Sequence, residues 1–90
     1  MDVHVEFTTQ LKALLGHGTE TLQLPSDAHV QHVIDDLADR HSDAFHQLVL
    51  DANRQLLPSI LICVNDQQAD PRTPLHEGDT VTLVSAISGG

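Results

Sequence analysis

Apolar and polar residues alternate over residues 2–8: Val3, Val5 and Phe7 point one way, His4 and Glu6 the other. A period of two predicts a half-buried strand. Residues 9–15, Thr-Gln-Leu-Lys-Ala-Leu-Leu, break the alternation and predict a short irregular or helical turn ending at Gly16-His17-Gly18. Alternation resumes over 19–24, with Leu22 and Leu24 on one side. A second strand is therefore predicted, paired with the first as a loose hairpin.

The period then changes. Val30, Val33, Ile34 and Leu37 recur at helical spacing as one apolar stripe. Pro25-Ser26-Asp27 is expected to open that helix, with Ser26 accepting from free backbone N–H groups and Asp27 in the first turn. Asp36 and Arg40 make an i,i+4 pair on the wet side. Arg40 and His41 suit the negative end of the helix. A weaker helical piece is predicted over 43–50, with Phe45, Leu48 and Val49 as its apolar face. Asp51-Ala52-Asn53-Arg54 reads as a turn.

The run 59–65, short and rich in β-branched residues after Pro58, gives the strongest strand signal. It is apolar at both parities, so either both faces are covered or one face meets a partner. Asn65-Asp66 turns the chain, and Asp70-Pro71-Arg72-Thr73-Pro74 excludes regular structure. Glu77-Gly78-Asp79 feeds a last strand over 80–85, with Val81 and Leu83 inward. The order is ββαβ(β)β. One main helix over a mixed sheet of four or five strands is an α+β roll. Placing the first and last strands side by side in the centre gives the β-grasp arrangement. Residues 1–85 form this domain, and residues 86–90 a flexible tail.

Composition narrows the function. The chain has 90 residues, which allows one core. Asp and Glu number 13 against 4 Lys and Arg, for a net charge of -9. Such a surface repels nucleic acid and anionic membranes and suits basic protein partners. Without Trp or Tyr, and with two Phe, a base-stacking platform is not expected. The single cysteine, Cys63, excludes an internal disulfide and any Cys-based zinc or iron–sulfur centre. The N-terminal residues carry no signal-peptide pattern, and Ile60–Val64 is too short to span a bilayer. The expected setting is the reducing cytoplasm.

The sequence closes on Ala86-Ile87-Ser88-Gly89-Gly90. Glycine averages about 7%, so a Gly-Gly ending arises by chance roughly once in 200 chains. The tail follows directly from a strand expected to be central, which holds its base. Small, uncharged residues can extend into a narrow tunnel of another protein, and two residues without Cβ let that partner close on both sides. The special group of such an end is the Gly90 α-carboxylate, ionised at neutral pH and a poor electrophile. ATP can activate it as an acyl-adenylate, from which a sulfur nucleophile displaces AMP. That chemistry uses no catalytic side chain of this protein.

The segment Leu75-His76-Glu77-Gly78-Asp79-Thr80-Val81-Thr82-Leu83-Val84-Ser85-Ala86-Ile87-Ser88-Gly89-Gly90 resembles the C-terminus of the MoaD/ThiS family of ubiquitin-like sulfur carriers. There a Gly-Asp turn, a strand and a short apolar tail precede terminal Gly-Gly. Val64-Asn65-Asp66 is similar to the family's Val-Asn-Gly turn, with Asp66 in place of the glycine. The proline common near Ser85-Ala86 in such tails is absent.

The resemblance implies a carrier or co-substrate, not an enzyme, with no bound cofactor. An E1-like enzyme uses ATP to adenylate Gly90. A cysteine persulfide supplies sulfur, and Gly90 as thiocarboxylate donates it in a partner's active site. Ala86, Ile87, Ser88 and Gly89 are implied to bind the partners. The pathway expected first is molybdopterin (molybdenum cofactor) synthesis, with the large subunit of molybdopterin synthase as acceptor enzyme. Cysteine, thiamine and tRNA thiolation stay open. So do a ubiquitin-like modifier joined through Gly90 to a lysine, and a plain β-grasp interaction module.

Other residues read more plainly. His29 and His32, with His41 and His46, lack a Glu or Cys to complete a ligand spacing, so no metal site is expected. Both His29 and His32 read as solvated helix residues. Cys63 reads as a buried, inert thiol, with a persulfide carrier as the alternative. Scattered Ser, His and Asp residues make no hydrolytic triad. Asp35, Asp36, Asp39 and Asp43 read as a wet helix face able to dock a basic partner. Leu61 or Cys63, whichever faces away from the helix, belongs either to an apolar docking patch or to the core.

Overall fold

The computed structural model describes residues 1–53 and 55–85. The elements in chain order are β1 (Asp2–Phe7), α1 (Thr9–Leu15), β2 (Thr19–Gln23), α2 (Val30–Val49), β3 (Ile60–Val64), β4 (Gln67–Ala69) and β5 (Thr80–Ser85). The strands form one mixed sheet in the order β2-β1-β5-β3-β4. β1 pairs parallel with β5, in the register His4↔Thr80 to Phe7↔Leu83. The other pairings are antiparallel. The first and last strands thus share the centre, as the β-grasp reading expects.

Alternation decides which face is covered. Val3, Val5, Phe7, Leu22, Ile60, Ile62, Val81 and Leu83 are buried on the side that meets α2. The helix contributes Val30, Val33, Ile34, Leu37, Phe45 and Val49 to the same core. Fully burying one such side chain stabilises by about 1.5–3 kcal/mol. The region 9–15 is a true helix. It buries Leu11 and stops at Gly16, whose φ of 84° puts it in the left-handed region.

Two boundaries differ from the sequence reading. The helix expected to end near Arg40-His41 runs on unbroken to Val49, taking in the piece expected over 43–50. His41, Phe45 and Val49 follow Leu37 at steps of four, so one stripe covers 20 residues. The helix also begins later than expected. Ser26 and Asp27 form a turn, and His29 is the N-cap. The free N–H groups of the first turn find partners in the 70–74 loop. Val30 N–H donates to Thr73 O at 2.9 Å, and Gln31 N–H to Pro71 O at 2.9 Å. A distant loop does the work that Ser26 was expected to do.

The start of β5 is stitched by polar groups. Gly78, at φ 83°, makes the turn before it. Asn65 Nδ2 donates to Asp79 Oδ1 at 2.8 Å, and Thr80 N–H donates to Asn65 Oδ1 at 3.0 Å. His76 N–H donates to Asp79 Oδ2 at 2.8 Å. Burial alone pushes the Asp79 carboxyl up, but these donors and the nearby His76 outweigh it and hold the group below its ordinary value. Asn65 and Asp66 both have positive φ, 51° and 70°, the twist that a two-residue hairpin turn requires.

Candidate functional site

The residues expected to act, Ala86, Ile87, Ser88, Gly89 and Gly90, lie outside the described residues. The structure does fix what they grow from. β5 is held on both sides to its last residues: Phe7↔Leu83 on one edge, Leu61↔Val84 and Ile60↔Ser85 on the other. Leu83 is fully buried. Thr8, the N-cap of α1, turns its hydroxyl away from the helix and donates to Leu83 O at 3.1 Å. The strand therefore delivers the chain beyond Ser85 from a fixed point, at the end of the sheet where β2 and β3 begin.

Beside that point the open face of the sheet carries two apolar side chains, Leu61 and Val84. Leu61 and Cys63 share a parity, and both face away from α2. Leu61 is 40% exposed and sits directly opposite Val84. Cys63 is opposite Thr82 and only half-buried, so the expected buried thiol is corrected. The core-packing reading of Leu61 is likewise overturned by its exposure. On the acidic helix face, Asp35, Asp39 and Asp43 are exposed. Asp35 accepts from Gln31 Nε2 at 3.0 Å, and Asp36 accepts from Arg40 Nε at 3.2 Å.

The histidines do not group as their spacing suggested. His29 and His32 stack with ring centroids 5.7 Å apart, and His29 N–H donates to His32 Nδ1 at 2.9 Å. They close the N-terminus of α2 as a capping pair. His17 from the α1–β2 loop, Glu20 from β2 and His41 from α2 converge, with ligand-type atoms within 4.8 Å of one another. His17 Nε2 is 2.5 Å from Glu20 Oε2, and His41 Nε2 is hydrogen-bonded to the same oxygen. Burial pushes the Glu20 carboxyl up. The hydrogen bonds from His17 and His41, and the charges these rings can carry, outweigh that and hold it below the usual carboxylate range.

This cluster had a signal in the sequence. Glu20 shares the parity of Leu22 and pairs with Val5, so alternation turns it towards the helix side. His41 lies four residues after Leu37, on the inward stripe.

The family model for ThiS matches residues 5–90, from within β1 through the last residue. The chain belongs to the ThiS family. Solved structures agree in fold. Over the full length of both chains, this ThiS-family protein superposes on SAMP1 from Haloferax volcanii with a TM-score of 0.92 at 23% identity. A putative molybdopterin converting factor, subunit 1, from Pyrococcus furiosus gives a TM-score of 0.78 at 24% identity, over 97% of this chain and 99% of that one. The BexX/CysO complex of Amycolatopsis orientalis gives 0.71 at 28% identity, over 98% of this chain and 99% of that one. A search of the curated proteins finds no significant match. The protein is thus a β-grasp member of a family of ubiquitin-like sulfur carriers and modifiers. No described helix is long and apolar enough to cross a membrane.

Proposed function

We propose that the protein is a sulfur carrier whose working group is the Gly90 carboxylate. The observation that carries this reading is a ThiS-family match that runs through Gly90, on a tail issuing from the pinned central strand β5. A carboxylate oxygen of Gly90 attacks the α-phosphorus of ATP within an E1-like enzyme, and pyrophosphate leaves. The terminal sulfur of a cysteine persulfide then attacks the acyl carbon, and AMP leaves. A second thiol cleaves the resulting acyl disulfide. This yields the Gly90 thiocarboxylate and a disulfide between the donor cysteine and that thiol. The small-residue tail Ala86-Ile87-Ser88-Gly89 threads the partner's channel, and the Leu61–Val84 strip beside Cys63 is the apolar surface that the activating enzyme covers. This chain acts as co-substrate. ATP is bound by the activating enzyme, and the lone Cys63 suits a reducing cytoplasm.

Molybdopterin synthesis is the acceptor pathway we favour, supported by the likeness to the Pyrococcus furiosus converting-factor subunit, with the large subunit of molybdopterin synthase as partner. The test is intact mass after incubation with the cognate activating enzyme, ATP and a persulfide donor. The expected result is a gain of one sulfur-for-oxygen exchange, and an unchanged mass refutes the reading. The second reading, conjugation through Gly90 to a lysine, draws on the likeness to Haloferax volcanii small archaeal modifier protein 1. It expects higher-mass conjugates in cells that vanish when Gly89 and Gly90 are deleted.

A further inference from the structure

We infer that His17, Glu20 and His41 form a binding site for a divalent transition-metal ion of the zinc class, an inference independent of the sulfur-carrier reading. Three features carry it. First, the donor set is two imidazoles and one carboxylate from three different elements, the three-ligand set that leaves a fourth position open on zinc. Second, the ring nitrogens are already oriented. His17 Nδ1 lies 3.1 Å from Leu15 O, and a carbonyl only accepts, so Nδ1 carries the proton and Nε2 is the nitrogen aimed at Glu20. A backbone carbonyl on the far ring nitrogen is the outer contact that metal-bound histidines use. Third, the carboxylate is divided. Oε1 faces Arg40 Nη1 at 3.9 Å, while Oε2 alone meets both imidazoles, as a one-oxygen ligand would.

The setting favours a bound ion. Phe7 presses edgewise on both rings, with centroids 5.7 Å from His17 and 6.3 Å from His41, and fixes their planes. Glu20 and His41 are mostly buried, at 12% and 18% side-chain exposure, while His17 at 40% is the open side through which an ion enters. Tetrahedral ligands stand about 3.3 Å apart around zinc. Closure on the ion therefore needs Glu20 to draw back from both rings by less than about 1 Å, and the two ring nitrogens, now within 4.8 Å of one another, to settle near that spacing. On binding, the cation replaces the protons between each Nε2 and the carboxylate, and these pass to solvent. The ion then ties α2 and the α1–β2 loop to the edge strand β2. Sequence spacing pointed to no metal site, because the ligands are assembled only by folding.

The test is calorimetric titration of Zn2+ into the full chain, with Co2+ absorption reporting geometry and thermal melts reporting linkage. Wild type should bind one equivalent, show the visible bands of tetrahedral Co2+ and melt higher with Zn2+. His17→Gln, on the exposed loop, and Glu20→Gln should each weaken binding at least about tenfold and lose the melting shift, with circular dichroism confirming the fold. The double variant His29→Gln/His32→Gln should bind as wild type does. Absence of binding to wild type, binding that survives Glu20→Gln and His17→Gln, or binding lost in the His29/His32 variant overturns the inference.

Discussion

The two ends of β5 are held by different forces. At its start, Asp79 and Asn65 exchange a web of directed hydrogen bonds with the flanking turns, and His4 N–H donates to Asp79 O at 2.8 Å. At its end, Leu83 sits in the core, while Leu61 and Val84 face out, with one side-chain hydrogen bond among the described residues, from Thr8. Directed bonds fix register. Apolar contact leaves a surface that another protein can cover. The strand is thus anchored by polar groups at its start, and presents apolar side chains on its open face at its end.

The sharpest separation of the two ends comes from adding one bulky, unremovable residue after Gly90. Thiocarboxylate formation should disappear entirely while the melting temperature stays unchanged, as read by intact mass and calorimetry. Leu83→Ala removes a fully buried side chain next to the tail, and should cost about 2–5 kcal/mol in denaturant unfolding.

Leu61→Asp probes the outer side of the same end. It should leave stability within about 0.5 kcal/mol while weakening binding to the activating enzyme about tenfold, by about 1.4 kcal/mol. Equal binding of wild type and variant would remove the strip from the docking surface.

Asp79→Asn attacks the start, and should cost about 1–2 kcal/mol at neutral pH without altering sulfur loading. Because the folded-state pKa of Asp79 is lowered, its contribution is present above the unfolded value near 3.9 and is lost as pH falls through the lower folded one. Wild type and variant should therefore converge in stability below about pH 4, as followed by urea melts across pH. The smallest effect belongs to Asp66→Gly. It relieves a left-handed non-glycine residue and should stabilise by up to about 1 kcal/mol.

The elements most legible in the sequence were those whose information is local. Val3-Val5-Phe7 and Val81-Leu83 declare their faces by parity, and Val30 to Leu37 by helical spacing. The central pairing of the first and last strands followed from element order and length. Misreadings arose where distant residues decide. Ser26 is a good cap by type, yet the carbonyls of Pro71 and Thr73 supply the capping, some 40 residues on. Arg40-His41 looked like a helix end because charge there suits the dipole. Phe45 and Val49, both fully buried, carry the helix past it. The His17–Glu20–His41 cluster joins three elements: strand parity and the helical stripe turn Glu20 and His41 inward, but only the fold brings them together across 21 residues. For the tail, the terminal residues suggest a chemistry, and the structure describes the strand that precedes them.

The parallel pairing of β1 with β5 has a consequence for biosynthesis. The ribosome makes β1 first and its central neighbour last among the strands. A chain halted before residue 80 leaves β1 and β3 with a gap between them and no partner to fill it. Unfinished products therefore cannot reach the native core, which closes only in a molecule translated through β5.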